Sequence, residues 1–407
     1  MIPNGVTRPW LCRTVSAFAG VLLTASAIAQ IAPARTWPEL KEAVQERVNR
    51  QAYPLTGMNA KDVAEILGRI NSLDRDEWAR SWSQTGEKYL DEGRALEKKN
   101  DRHAREKARE AYLAAWRYFG FGAWPTQNSP GKKQAHGRAI EAFRAYATLA
   151  QPKIEVIRVP FEGKEITGYL QLPAGARPAP VVMSLGGLDS YKEFVVEQYG
   201  PIYQAAGLGY LALDMPGTGE SPIRIDPDSG RIYSRLIDYL LTRKDIDPKR
   251  IGFQGVSWGG YWAARMAFTE KDRLRAVTYW AGPVDMYFSR EWQIKALGTR
   301  EYLFDLFPAR AGVYDVTELE DFLAYGPKMS LKAAGLLGKP TPPMLLVNGE
   351  RDSQVPIDDL YLLLRSGSPK DAWVNPEGGH IGRNKEWSDL RIMREVVAPW
   401  FARQLKK

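Results

Sequence analysis

The chain has 407 residues, 44% of them hydrophobic, and a formal net charge of +8. This length allows one large domain and a smaller one with a substantial core, as in a soluble globular protein. Lys and Arg are spread widely and often have Glu neighbours, as in Glu97-Lys98-Lys99, so we interpret the charge as solvated surface and expect no nucleic-acid partner.

The first predicted element is a cleavable secretory signal over residues 1–29. Arg8 and Arg13 precede an apolar run at 15–28 that ends in small residues, the order typical of such a signal. The run is short for a membrane span, and an uncleaved anchor is the alternative. We expect a periplasmic or secreted protein with no stable membrane span after processing. The only cysteine, Cys12, lies in this leader, which excludes disulfides, cysteine-ligated metals and a cysteine nucleophile from the mature chain.

Residues 30–151 are predicted to form a helical domain. Val63, Ile66, Leu67 and Ile70 follow the spacing of one helix face, and the same spacing recurs at 112–119. A Ser-Pro-Gly break within 128–131 precedes a further helix expected over 132–150.

Residues 152–407 change to the patterns of a sheet. Alternating apolar residues at 166–172 predict a hairpin. Short apolar runs then alternate with helical stretches, which indicates an α/β fold with a mostly parallel, doubly wound sheet. The runs lie at 181–185, 210–213, 251–256, 276–280, 344–347 and 372–374, and the helices at 193–206, 232–242, 260–268, 357–364 and 388–405. Residues about 283–342 form a lid-like insertion.

A candidate nucleophile follows the predicted strand at 251–256. Gly255-Val256-Ser257-Trp258-Gly259 stands between a strand and a helix, the context that a nucleophile elbow requires. The glycines relieve crowding at a sharp turn that holds the serine in strained geometry. Ser257 is therefore the predicted nucleophile.

A serine hydroxyl needs a base, and three histidines are candidates. His103 and His136 lie on polar, charge-rich helices, where a solvated side chain is expected. His380 ends a glycine-rich loop, Glu377-Gly378-Gly379-His380, just after the last predicted strand. This position favours His380 as the general base.

A carboxylate should orient the histidine. Asp352 follows the strand at 344–347, which gives the chain order Ser, Asp, His. Glu350 and Asp285 remain alternatives.

Backbone amides should stabilise the developing oxyanion. We expect one from Trp258 and one from Leu188, in the loop after the strand at 181–185; an ordinary glycine turn is the alternative for this loop. Candidate substrate-binding residues are Gly187 and Tyr191, near the predicted oxyanion loop, and Tyr287 and Trp292 in the insertion. The aromatic residues of the insertion either line the substrate pocket or pack the insertion against the sheet.

Two strings resemble the α/β-hydrolase superfamily over about residues 152–407. The elbow is its motif, and Ser-Leu-Gly-Gly-Leu-Asp-Ser-Tyr-Lys-Glu at 184–193 is similar to the fermentation-respiration switch esterase and 2,6-dihydroxypseudooxynicotine hydrolase-like branch. The resemblance implies an N-terminal helical cap over the site. It implies a triad of Ser257, Asp352 and His380, with oxyanion amides at Leu188 and Trp258. Gly186 departs from the histidine that many members carry there.

The expected function is cleavage of a carboxylic ester by a serine hydrolase, through an acyl-enzyme and without cofactor or metal. The alternative is a carbon-carbon bond hydrolase acting on a ketone or β-diketone, with Asp285 or Glu291 as an added acid. A catalytically silent scaffold and an oligopeptidase are further alternatives. The expected partner is a small-molecule substrate, and the chain is compatible with a homodimer.

Overall fold

A computed structural model describes residues 35–99, 101–175 and 177–406; the predicted signal lies outside them. The first part is helical, as predicted. Its five helices are α1 (Trp37–Asn49), α2 (Ala60–Arg69), α3 (Arg75–Glu97), α4 (Arg102–Ala123) and α5 (Pro130–Leu149). Side chains of Asn59, Asp74, Asp101 and Ser129 accept backbone N–H groups at the starts of α2 to α5, which sets where these helices begin.

The second part contains an eight-stranded sheet. Its strands are β1 (Glu155–Phe161), β2 (Lys164–Gln171), β3 (Ala179–Leu185), β4 (Gly209–Leu213), β5 (Ile246–Val256), β6 (Ala276–Trp280), β7 (Met344–Gly349) and β8 (Asp371–Asn375). The order is β1-β2-β4-β3-β5-β6-β7-β8. The hairpin β1–β2 and the β2–β4 pair are antiparallel, and the remaining pairs are parallel. The predicted mostly parallel sheet is confirmed.

Helices alternate with these strands. They are α6 (Lys192–Ala205), α7 (Arg231–Thr242), α8 (Trp258–Thr269), α9 (Arg290–Leu297), α10 (Leu306–Gly312), α11 (Leu319–Tyr325), α12 (Ile357–Leu364), α13 (Asp389–Ile392) and α14 (Ala398–Gln404), with a π-helical turn at Met393–Val397. Helices α9 to α11 belong to the insertion between β6 and β7. Apolar side chains cover both faces of the sheet in two clusters, as a doubly wound sheet requires.

The helical part packs against the carboxyl edge of the sheet. Asp305, in the insertion, accepts hydrogen bonds from Arg75 at 2.9 Å and Asn128 at 3.1 Å and lies 3.4 Å from Lys132. Lys132 is fully buried, which lowers the pKa of its ammonium to about 8. These contacts join the cap and the insertion above the strand ends.

Within the described ranges, no helix combines the length and apolar character needed to cross a membrane. The same ranges hold no group of three or more His, Cys, Asp or Glu side chains arranged to bind a metal ion.

Candidate active site

The turn after β5 holds Ser257 in a strained backbone conformation. Its φ of 55° and ψ of −126° lie outside the regions that residues with a side chain favour. A Cβ on Gly255 would lie 1.8 Å from the carbonyl oxygen of Gly259, and a Cβ on Gly259 would lie 2.3 Å from that of Gly186. Only glycines allow the backbone to approach this closely, and the turn places Ser257 at the start of α8.

Three side chains from separate loops meet at this edge of the sheet. Ser257 Oγ lies 2.8 Å from His380 Nε2, and His380 Nδ1 lies 2.9 Å from Asp352 Oδ2. The other Asp352 oxygen accepts the backbone N–H groups of Gln354 at 2.7 Å and Val355 at 3.0 Å. A carboxylate fixed in this way favours the imidazole with its proton on Nδ1, so that Nε2 faces the hydroxyl as an acceptor.

The glycine-rich loop after β8 positions His380. Asn375 Nδ2 donates to the carbonyl of Gly382 at 2.9 Å, and Trp280 Nε1 donates to the carbonyl of Ile381 at 2.8 Å. Both donors stand at strand ends, so the two residues that follow His380 are bonded to the sheet.

The two rival carboxylates do not contact the histidine. Glu350 accepts a hydrogen bond from the Tyr361 hydroxyl at 2.7 Å. Asp285 accepts one from the Ser330 hydroxyl at 2.5 Å and lies 3.7 Å from Lys332. Asp352 alone among the three proposed residues has the geometry of the orienting acid.

The other two histidines differ from each other. His103 is exposed, as expected. His136 is not a solvated side chain, which corrects our expectation: its ring packs edge-on against Tyr191, with ring centroids 5.4 Å apart. Burial, with a smaller contribution from the Lys192 cation, lowers the pKa of His136 to about 4.

The loop after β3 lies directly beside the serine. A Cβ on Gly187 would lie 2.9 Å from Ser257 Cβ, and the Gly187 amide donates to Ser190 Oγ at 2.8 Å. Leu188 and Trp258 line a pocket that contains Ser257. Trp258 is the first residue of α8, where helix N–H groups lack an intrahelical acceptor. Among the described residues neither of these two amides donates to another backbone carbonyl, so both are available to an oxyanion.

Two cavities meet at Ser257 and His380. The larger, of about 290 Å³, opens toward the cap and includes Gly187, Tyr53 and Trp124 in its wall. The smaller, of about 30 Å³, lies on the side of Leu188 and Trp258. We call them the cap cavity and the small pocket.

Two of the four predicted substrate-binding residues line a cavity at Ser257, and two do not. Gly187 lines the cap cavity and Tyr287 lines the small pocket. Tyr191 lines a separate cavity of about 70 Å³ beneath the cap helices. Trp292 lies outside both cavities at Ser257, because its indole N–H donates to the Gln354 carbonyl at 3.2 Å and supports the loop after β7. Tyr191 and Trp292 therefore line neither of the two cavities at Ser257.

Sequence reasoning missed two residues of the small pocket, Arg310 and Gln354. Tyr302, Arg310 and Gln354 line it together with the serine. Arg310 is 5% exposed and donates to Gln354 Oε1 at 2.6 Å. The aromatic content of the insertion indicated Tyr302 as a candidate, but no local motif marks Arg310 or Gln354.

A buried group of charges supports the loop after β3 from below. Lys192 Nζ lies 2.7 Å from Asp214, 3.0 Å from Glu193 and 2.9 Å from Glu220. Asp214 also accepts the Lys192 backbone N–H at 2.9 Å. The Lys192 side chain is fully buried, and the carboxylates raise the pKa of its ammonium well above the usual value despite the cost of burial.

The sheet order and the strained serine turn define this protein as an α/β-hydrolase. Its fold is similar to that of a 2,6-dihydroxy-pseudo-oxynicotine hydrolase, with a TM-score of 0.70, 23% identity and coverage of 86% of this chain and 93% of that one. It is also similar to AbyA5, with a TM-score of 0.64, 25% identity and coverage of 84% and 88%.

The family follows from the sequence comparison. Residues 38–374 match the family described as Esterase FrsA-like, and the chain belongs to that family. Esterase FrsA of Photobacterium profundum is 26% identical over 349 residues, covering 85% of this chain and 81% of that protein. Esterase FrsA of Vibrio cholerae is 28% identical over 344 residues, covering 79% and 80%. The protein is therefore a hydrolase of an esterase family, which confirms the predicted enzyme class.

Proposed function

We propose that the protein hydrolyses carboxylic esters through an acyl-enzyme on Ser257. The observation that carries the proposal is the continuous chain of hydrogen-bond distances from Ser257 Oγ through His380 to Asp352, 2.8 Å and 2.9 Å long. Such a chain supplies what a serine hydroxyl lacks near neutral pH, a base held in the correct tautomer.

In the first half of the reaction, His380 Nε2 takes the hydroxyl proton while Ser257 Oγ forms a bond to the ester carbonyl carbon. The carbonyl oxygen becomes an oxyanion, which the amides of Leu188 and Trp258 stabilise. The bond to the alcohol oxygen then breaks, and His380 gives its proton to the departing alcohol. The acyl group remains on Ser257.

In the second half, a water molecule takes the place of the alcohol. His380 removes a proton from the water, whose oxygen attacks the acyl carbon, and the same amides hold the second oxyanion. The bond to Ser257 breaks, the serine regains its proton from His380, and a carboxylic acid leaves. Throughout, Asp352 keeps the ring oriented and stabilises its positive charge.

Carbon-carbon cleavage receives less support from the structure. It would use an acid to protonate a carbanion, and the two candidates from the sequence lie elsewhere. Asp285 is bonded to Ser330 and lies near Lys332, and Glu291 is exposed on α9. Ester cleavage needs only the groups already assembled at Ser257.

Export, predicted from residues 1–29, is a separate proposal. N-terminal sequencing of the protein recovered from periplasmic and culture fractions would test it, with a new terminus after Ala29 as the expected result.

The test of the catalytic proposal is product analysis with wild type and Ser257→Ala on parallel panels of aryl esters and β-diketones. We expect ester turnover that Ser257→Ala abolishes. A fluorophosphonate should label the wild type at Ser257, and Ser190→Ala, which removes the other serine of the cap cavity, should still be labelled at the end point. Turnover confined to β-diketones would replace ester cleavage with the alternative, and full ester activity in Ser257→Ala would refute the nucleophile.

A further inference from the structure

Arg310 is a buried cation beside the nucleophile. It is 5% exposed, and its Nη2 donates to the neutral Gln354 amide at 2.6 Å. Among the described residues, no carboxylate forms an ion pair with it, and its Nη1 has no hydrogen-bond partner. A buried guanidinium without a counter-charge carries a large desolvation cost, so an anion that completes the site would be bound strongly.

Both oxygens of Asp352, the carboxylate beside His380, already have hydrogen-bond partners. One oxygen of Asp352 faces His380 and the other accepts the amides of Gln354 and Val355. Gln354 in turn donates from Nε2 to Thr299 Oγ1 at 2.5 Å, which leaves its carbonyl oxygen for Arg310. The hydrogen bonds around Arg310 are thus fixed, and its Nη1 group remains without an acceptor among the described residues.

Arg310 lines the small pocket together with Leu188, Trp258 and Ser257. This pocket contains the residues whose amides would bind the oxyanion, so it lies next to the acyl carbon. Its volume of about 30 Å³ is enough for a few heavy atoms. The cap cavity, about tenfold larger at 290 Å³, gives the departing alcohol its route out, so the acyl group belongs in the small pocket.

We propose that the small pocket selects acyl groups that end in a carboxylate, and that Arg310 binds this carboxylate. The substrate class is the half-ester of a short dicarboxylic acid, with malonate and succinate as the lengths that suit the pocket. The inference rests on the proposed ester hydrolysis at Ser257 and adds to it the charge and size of the acyl group. Arg310 is a specificity residue in this account, because it contacts the substrate away from the reacting bond.

The experiment compares monoethyl malonate with ethyl 3-methylbutanoate, which has nearly the same shape and no charge. Proton release at constant pH gives kcat/KM for both esters in wild type, Arg310→Gln, Arg310→Lys and Arg290→Gln. Arg290 is an exposed arginine of the same insertion, paired with Glu320, and serves as the matched control.

We expect wild type and Arg290→Gln to prefer the malonate half-ester. Arg310→Gln should lower the ratio of the two kcat/KM values about 10- to 100-fold, as loss of a charge-assisted hydrogen bond does, and Arg310→Lys should recover part of it. Because the ratio is measured within each variant, partial unfolding does not alter it. A wild-type preference for the neutral ester, or a ratio unchanged in Arg310→Gln, overturns the inference while ester hydrolysis stands. Absence of turnover on both esters in wild type, and on the aryl ester panel, contradicts the proposed function and this inference with it.

Discussion

Replacing Lys192 with methionine removes the cation of the buried charge group and keeps most of its side-chain length. Asp214 and Glu193 would then remain as carboxylates whose side chains are only 3% and 4% exposed, whereas Glu220, at 24%, can reach water. Removing one partner of a buried ion pair costs about 3–5 kcal/mol because a charge is left uncompensated. We expect Lys192→Met to lose about this much of its free energy of unfolding at neutral pH, a large share of the 5–15 kcal/mol typical of a domain.

Urea unfolding followed by fluorescence measures this loss, with Lys271→Met as the control. Lys271 is 43% exposed and pairs with Asp272 on the surface, so its replacement should cost about 0.5 kcal/mol or less. Burial already raises the pKa of Glu193, and removal of the cation raises it further. The deficit of Lys192→Met should therefore shrink as the pH falls and Glu193 takes up a proton. A loss below about 1 kcal/mol, or one independent of pH, would show that Lys192 does not compensate buried carboxylates.

Three further predictions follow from the site. Asp352→Asn should lower kcat by about three orders of magnitude with an unchanged unfolding midpoint, and Glu350→Gln should retain activity; equal activity of Asp352→Asn and wild type would move the orienting role elsewhere. Gly187→Ala places a Cβ 2.9 Å from that of Ser257, so kcat/KM for ester hydrolysis should fall at least about tenfold. An unchanged kcat/KM would show that the loop after β3 moves to accommodate the added methyl group. The pKa of His136 is lowered from 6.5 to about 4, so the unfolded chain binds this proton at a higher pH than the folded protein does. Wild type should therefore lose up to about 3 kcal/mol of its free energy of unfolding between pH 6.5 and 4. Denaturant titrations of His136→Gln should lack this loss, and parallel pH curves for the two proteins would contradict the prediction.

The sequence predicts this fold well where the pattern is local. The strand Ala276–Trp280 and the helix Ile357–Leu364 have the predicted bounds, because an apolar run or an amphipathic period is complete within a few residues. The meeting of Ser257, His380 and Asp352 follows from the same kind of information: an elbow motif and two loops that each follow a strand, with parallel strands bringing their carboxyl ends to one edge.

The rest depends on contacts between distant segments. His136 stands in a polar stretch of α5, and its burial depends on contacts with distant residues such as Tyr191. Trp292 and Tyr302 look alike in the insertion, but one supports the loop after β7 and the other lines the small pocket. In the sequence, Arg310 cannot be distinguished from a surface arginine, because its burial depends on how the insertion packs against the rest of the protein. Neither charge nor periodicity along the chain encodes which face of a short helix meets the active site.

The most direct test of the account is the site of the covalent intermediate. Wild-type protein mixed with an aryl ester and quenched with acid within milliseconds should carry one acyl group, which peptide mass spectrometry should place on Ser257. His380→Ala should form this adduct much more slowly, since its serine lacks a base. An acyl group on any other residue, or steady turnover in wild type with the Ser257 peptide never modified, would contradict the mechanism.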